Sequence, residues 1–205
     1  MGSAVFHVAQ PQDLSDVGGY APAPAPPSAG EDLQTVLQNS VERGYALTLT
    51  EERINNWLGH TLSLKQGGLL ASQASLERVC VRLEDGFAEI IMVRKVLGKP
   101  FTVSLFLKVD QFEGDQSVKT VLKLDGGPYH KDFPVPPRGG RFGKLVVPQG
   151  FLILVMPAYK KLAALFPEER RLGLDEMARI KIEKGRLILD PREPAPGGSL
   201  MPQPF

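Results

Sequence analysis

The feature that most constrains the fold is a long stretch in which hydrophobic and polar residues alternate. The alternation starts at Ser75, and a period of two residues is typical of strands with two different faces. Asp85-Gly86 interrupts it as a two-residue hairpin turn, since both central positions of a type I′ turn need positive φ. Further strands are predicted at residues 87–97, 101–110 and 118–124. The stretch therefore predicts consecutive antiparallel strands.

Helical patterns flank these strands on both sides. Apolar residues recur at helical spacing over residues 33–44, and again from Thr50, a predicted N-cap, to about residue 64. A third apolar pattern covers 151–165, where Pro157 predicts either a kink or a helix that starts one turn later. A hairpin at 180–189 closes the unit. We expect an α+β fold, in which a strongly curved antiparallel sheet of hairpins packs around or against two to three helices.

Glycine and proline mark the ends of the folded unit. The chain of 205 residues holds 21 Gly and 18 Pro, and ten of the prolines lie in two terminal stretches, residues 1–30 and 191–205. Alternating Ala and Pro at residues 21–26 favours extended polyproline II, because proline fixes φ and has no amide donor. We therefore expect a Pro/Ala-rich disordered tail or spacer over 1–30, a single α+β domain over 31–190, and a disordered C-terminal tail over 191–205.

Several classes of chemistry find no support in the sequence. A formal net charge of +1 argues against a nucleic-acid binder, which normally carries a basic excess. A single cysteine, Cys80, excludes an internal disulfide and a cysteine-rich zinc site. No nucleophile elbow or metal-ligand spacing occurs, and His60 and His130 are the only candidate imidazole bases outside the N-terminal stretch. We expect a protein without enzymatic activity, metal or cofactor; the alternative is a hydrolase that uses His130 or Cys80.

Two apolar features suggest either a covered core or a binding groove. The strand at 87–97 is apolar on both faces, and the helix at 151–165 is more apolar than a surface helix requires. In one interpretation the strand is central and covered on both sides, with the helix as a cover. In the other, a curved sheet wraps the helix and leaves a groove for an acyl chain or similar ligand. The side chains predicted to line this groove are Trp57, Ile91, Val93, Phe101, Val103, Leu105, Phe151, Leu154, Val155 and Leu162.

A basic, glycine-rich loop precedes the apolar helix. Arg138, Arg141 and Lys144 lie beside three glycines within residues 138–144, and flexible backbone with nearby cations favours an anion. The predicted anion is a lipid headgroup or a surface phosphate. The alternative is a solvated loop without a ligand.

The order of these motifs resembles that of the YpmS family of bacterial envelope proteins. The segment at 47–58, Leu-Thr-Leu-Thr-Glu-Glu-Arg-Ile-Asn-Asn-Trp-Leu, is similar to the family's Leu-Thr-x-x-x-Leu-Asn-x-x-Leu opening. Gly-Lys-Leu-Val-Val-Pro at 143–148, with the apolar helix after it, resembles the family's Gly-Lys-Leu-x-x-Pro stretch and following helix. The hairpin at 180–189 resembles the family's closing hairpin, so the resemblance covers roughly residues 45–190.

This resemblance implies a single-pass membrane-anchored protein with its domain outside the cytoplasm. It also implies a fold related to tubular lipid-binding domains, in which a strongly curved sheet wraps a long helix, and it implies no catalytic residues. We therefore expect a non-enzymatic extracytoplasmic domain that binds a lipid-like ligand in the groove, with a membrane surface as a further partner. An anchor is expected ahead of the Pro-rich stretch. The alternative is a structural or protein-interaction module of the cell envelope with no small-molecule ligand, whose protein partner the sequence does not identify.

Overall fold

The alternating segments form the strands of two antiparallel sheets. The computed structural model describes residues 7–8, 10–19, 32–65, 76–96, 98–114, 118–130 and 136–192. Within these residues the strands are β1 (Leu47–Thr50), β2 (Leu76–Glu84), β3 (Phe87–Val96), β4 (Lys99–Glu113), β5 (Val118–Leu124), β6 (Arg138–Phe142), β7 (Leu145–Pro148), β8 (Arg179–Glu183) and β9 (Arg186–Asp190). The larger sheet has the order β2-β3-β4-β6-β7, with β5 also paired to β4, and the smaller sheet has the order β1-β9-β8.

Helices lie before and after the larger sheet in the chain. They are α1 (Leu33–Arg43), α2 (Glu51–Lys65), α3 (Met156–Ala163) and α4 (Pro167–Arg170). The Thr50 hydroxyl accepts the Arg53 N–H at 3.2 Å, which confirms the predicted N-cap of α2. Antiparallel strands with helices placed outside the meander confirm the predicted α+β class. The strong curvature expected of the sheet is not confirmed.

The register of β3 and β4 decides which side chains share a face. Met92 lies opposite Val103, and Ile91 lies opposite Ser104. Since successive side chains of a strand point to opposite faces, Met92 and Val103 lie on one face and Ile91 and Ser104 on the other. The first face packs against the helices and is called the helix face below. The main core lies there and joins Met92 and Leu105 to residues of both sheets and of α1, α2 and α3.

The opposite face of the sheet is covered by residues 10–19, which we call the strap. Leu14 and Val17 of the strap are buried against Cys80, Ile91 and Val93. Strand β3 is therefore central and covered on both sides, as one of the two interpretations of its apolar faces predicts.

The strap corrects one predicted boundary. Residues 1–30 are expected from the sequence to be a disordered tail or spacer, yet residues 10–19 pack on the sheet and belong to the domain. Proline content misleads here because only Pro11 of the five N-terminal prolines lies within the strap, and the Ala-Pro repeat follows it. The Ala-Pro repeat at 21–26 and most of the predicted C-terminal tail, residues 193–205, lie outside the described residues.

Candidate functional site

The apolar segment at 151–165 does not form one continuous helix. A 3₁₀ turn at Gln149–Leu154, which we call the apolar turn, comes first, and α3 begins only at Met156. Pro157 lies in the first turn of α3, where its missing N–H has no helical partner to lose. Of the two outcomes predicted from Pro157, the later helix start is therefore the one observed.

The apolar turn exposes three large hydrophobic side chains. The exposed fractions are 61% for Phe151, 74% for Ile153 and 84% for Leu154, whereas Leu152 between them is fully buried. Single exposed apolar residues are common on protein surfaces, but contiguous ones mark interaction sites. The turn is therefore the main candidate for a binding surface.

The buried side of the turn explains why these side chains point outward. Leu152 is part of the main core, and the turn packs on β6 at Gly139. A Cβ added to Gly139 would lie 2.4 Å from Gln149 Cα and 2.8 Å from Leu152 Cδ1, so only glycine permits this close approach. Leu152 and Gly139 together fix the turn on the sheet.

Helix α3 fills the space beneath the sheet. Tyr159 and Leu162 are buried, and the Tyr159 hydroxyl lies 2.8 Å from the Val103 carbonyl oxygen and 3.0 Å from that of Ile90. Burial raises the pKa of Tyr159, so the hydroxyl stays protonated and donates to these backbone acceptors. The predicted groove between sheet and helix is thus occupied by the protein's own side chains.

The residues predicted to line the groove separate into three places. Those in or beside the core of the helix face are Phe101, Val103, Leu105, Val155 and Leu162. Trp57 also packs beside this core, with its ring 5.3 Å from that of Phe166. Ile91 and Val93 lie on the opposite face under the strap, and Phe151 and Leu154 lie in the apolar turn. The prediction of one shared groove is wrong, because a strand that is apolar on both faces does not show which residues face the helix.

The prediction of a glycine-rich loop at 138–144 is wrong, because Arg138 and Arg141 lie on strand β6 and Lys144 lies in the turn before β7. These three predicted headgroup residues also do not converge on one cationic site. Arg138 donates to the Gly126 carbonyl and lies 5.9 Å from the centre of the Phe106 ring. Arg141 lies 3.6 Å from a carboxylate oxygen of Glu89. Arg141 and Lys144 share an open cleft of about 510 Å³, but the acids Asp13, Asp16 and Glu84 line the same cleft, with Gln12, Ser15 and Arg82. Acids and bases are balanced there, so the cleft offers an anion no net attraction.

A buried ion pair lies below the strap and is not predicted from the sequence. Glu89 is almost fully buried and accepts from Arg82 at 2.9 Å and from the Ser104 hydroxyl at 2.6 Å. Arg82 also donates to Asp16 at 2.7 Å and to the Asp13 carbonyl at 2.9 Å, both in the strap. Because Arg82 joins Glu89 of β3 to Asp13 and Asp16, we interpret the pair as an anchor for the strap. Glu89 within an otherwise apolar strand was the available signal.

The environment of the one cysteine disfavours the reactive thiolate form. Cys80 is buried under the strap, and burial raises its pKa to about 12 despite the nearby Arg78 and Arg82. The reactive thiolate is therefore scarce at neutral pH. Among the described residues, no group of three or more His, Cys, Asp or Glu side chains is placed to hold a metal ion.

Comparison with known proteins leaves the structure as the main source of functional inference. No known family model matches the sequence, and no curated protein is significantly similar to it. In the part of the chain that the structure describes, every helix is too short or too polar to cross a bilayer. The resemblance to the YpmS family therefore rests on the segments quoted above.

Proposed function

We propose that this is a non-enzymatic lipid-binding domain that docks reversibly on a bilayer through the apolar turn. The observation that carries the proposal is the exposure of Phe151, Ile153 and Leu154 on a turn that Leu152 fixes to the sheet. Exposure of three large apolar side chains to water is unfavourable. Each of them contributes favourable free energy when an apolar phase covers it, so the turn is suited to bind such a phase. The YpmS resemblance supports the proposal, since it implies a membrane-tethered domain outside the cytoplasm.

The free energy available from the three exposed side chains is typical of a reversible contact. Transfer of one large apolar side chain from water contributes about 1.5–3 kcal/mol, so three partly exposed ones contribute about 3–6 kcal/mol. That range corresponds to dissociation constants from about 6 mM to about 40 μM without any other contact. This contact differs from the internal groove predicted from the sequence. Tyr159 and Leu162 fill the space between the sheet and α3, so the ligand contacts the exposed apolar turn instead.

Vesicle binding by a variant of the turn tests this proposal. We expect the triple substitution Phe151→Ser, Ile153→Ser and Leu154→Ser to reduce co-sedimentation with phospholipid vesicles at least tenfold. The fold should persist, because all three side chains are exposed. The matched control replaces Phe112 and Leu122, two other exposed hydrophobic residues on β4 and β5, with Ser and should bind like the wild type.

Two results would contradict the proposal. One is wild-type protein that does not bind vesicles of any composition. The other is wild-type protein that self-associates in analytical ultracentrifugation and becomes monomeric only in the turn variant, without binding vesicles. The second result would favour the alternative, a protein-interaction module whose apolar turn is an interface between chains.

A further inference from the structure

The charges around the apolar turn are distributed unevenly along the sequence. Residues 133–167 contain five Lys or Arg and no Asp or Glu. The rest of the chain keeps 19 of the 24 Lys and Arg against all 23 Asp and Glu, so it carries a net negative charge. The protein is close to neutral as a whole, and the segment that holds the turn is net positive because it lacks acidic residues.

The same separation of charge holds in space around the turn. The elements that pack most closely against it are β6, β7 and α3, and none of the three contains an acidic residue. Two of the five cations, Arg138 and Arg141, already contact Gly126 and Glu89. Lys144 lines the cleft that also contains Asp13 and Asp16. Lys160 and Lys161, in contrast, are exposed on α3, the helix that follows the turn.

The spacing between these lysines and the start of α3 is similar to the thickness of a headgroup layer. Lys160 and Lys161 follow Met156 by four and five residues, which places them about 6–8 Å along the helix axis from its start. The headgroup layer of one leaflet is about 5–8 Å thick. With the turn at the boundary of the acyl chains, the ammonium groups can therefore reach headgroup phosphates.

On these grounds we infer that the surface recognised by the turn is a bilayer rich in anionic headgroups, with Lys160 and Lys161 as the selective contacts. This inference rests on the proposed function and adds the class of lipid. Each lysine near an anionic surface strengthens binding about fivefold, so the pair contributes roughly 25-fold. The three apolar side chains supply the part of the binding that does not depend on lipid charge.

The test compares two kinds of vesicle with two pairs of variants. The vesicles are phosphatidylcholine alone and phosphatidylcholine with one third phosphatidylglycerol. The variants are Lys160→Gln with Lys161→Gln, and the control Lys99→Gln with Lys119→Gln, which removes the same charge from exposed positions of β4 and β5. We expect the wild type and the control to bind the anionic vesicles roughly 25-fold more tightly than the neutral ones, and added salt to reduce the difference.

The Lys160 and Lys161 variant should bind both vesicles with nearly the affinity that the wild type has for neutral ones. Equal binding of the two vesicles by the wild type would overturn the inference and leave the proposed function standing. A control variant that loses selectivity as far as the Lys160 and Lys161 variant does would also overturn it. Absence of binding to either vesicle would remove the proposed function itself, and would point to an acidic protein as the partner instead.

Discussion

Cys80 reports on the face of the larger sheet that the strap covers, which we call the strap face. Its thiol lies between the sheet and the strap, and burial raises its pKa from about 9 to about 12. A thiol whose pKa is higher in the folded protein favours folding while it is protonated. Its contribution is therefore complete below about pH 9 and is lost as the pH rises towards 12.

We expect the wild type to lose stability at alkaline pH faster than the variant Cys80→Ala. Between about pH 8.5 and 10.5 the free energy of unfolding should fall by about 1–2 kcal/mol more in the wild type, because only the wild type carries the thiol. Urea denaturation at a series of pH values measures this difference. Tyr159 also titrates with a raised pKa, but it is present in both proteins and cancels from the comparison. Parallel curves for the two proteins would show that Cys80 is not buried as described.

Glu89 shows why individual residues of the strap face were hard to predict. It is a carboxylate in a strand whose neighbours are apolar, and the sequence alone favours exposure for such a residue. It accepts hydrogen bonds from Arg82, seven positions earlier, and from Ser104, fifteen positions later, and Arg141 also lies 3.6 Å from its carboxylate. Neither spacing forms a local motif, because the hairpins and not the sequence distance bring these side chains together.

The apolar turn depends on a glycine in a neighbouring strand. The variant Gly139→Ala should be less stable than the wild type by about 1–3 kcal/mol, because its Cβ would meet the backbone at Gln149 and push the turn from the sheet. Gly150→Ala is the matched control: no atom lies within 4 Å of its added Cβ, and its stability should stay within about 0.5 kcal/mol of the wild type. Thermal and urea unfolding measure both. Equal stability of the two variants would argue against close packing of the turn at Gly139.

Most strands were predicted from the sequence, but β6 was not, because its glycines indicate a loop. Strict alternation over β2 and β4 and the Asp85-Gly86 turn predicted the meander, because a period of two fits only an extended chain with two different faces. The apolar run at 151–165 was harder to interpret. A 3₁₀ turn and an α-helix have similar periods, so spacing does not separate them, and Pro157 was the one signal for the break.

Sequence spacing also does not show which side chains of the apolar turn are exposed. Phe151 and Leu154 were predicted for a site, but as the lining of a groove, and Ile153 was not singled out at all. Their exposure follows from the burial of Leu152 in the core. That burial depends on close packing against Gly139, thirteen residues earlier in the chain. An apolar run gives no indication of which of its members faces water when every member is hydrophobic.

The strap is part of the domain, so the domain begins before residue 10 rather than at residue 31. Leu14 and Val17 close the second face of the larger sheet, and backbone groups of the strap bond to side chains of α2 and β4. Asn55, for example, donates from Nδ2 to the Gly18 carbonyl at 2.7 Å and to the Val81 carbonyl at 2.8 Å. One amide thus ties the strap and the sheet to helix α2.

A chain that begins at residue 31 should therefore be much less stable than the full chain. Loss of the burial of Leu14 and Val17 alone removes about 3–6 kcal/mol, a large share of the total for an ordinary domain. Cys80, Ile91 and Val93 would also meet water, so a thiol reagent should modify Cys80 quickly in the shortened chain and slowly in the full one. The control is a chain that ends at residue 192, which keeps the strap and should match the full chain in both measurements. If the chain from residue 31 matched it too, the strap would be a dispensable cover and the boundary at residue 31 would stand.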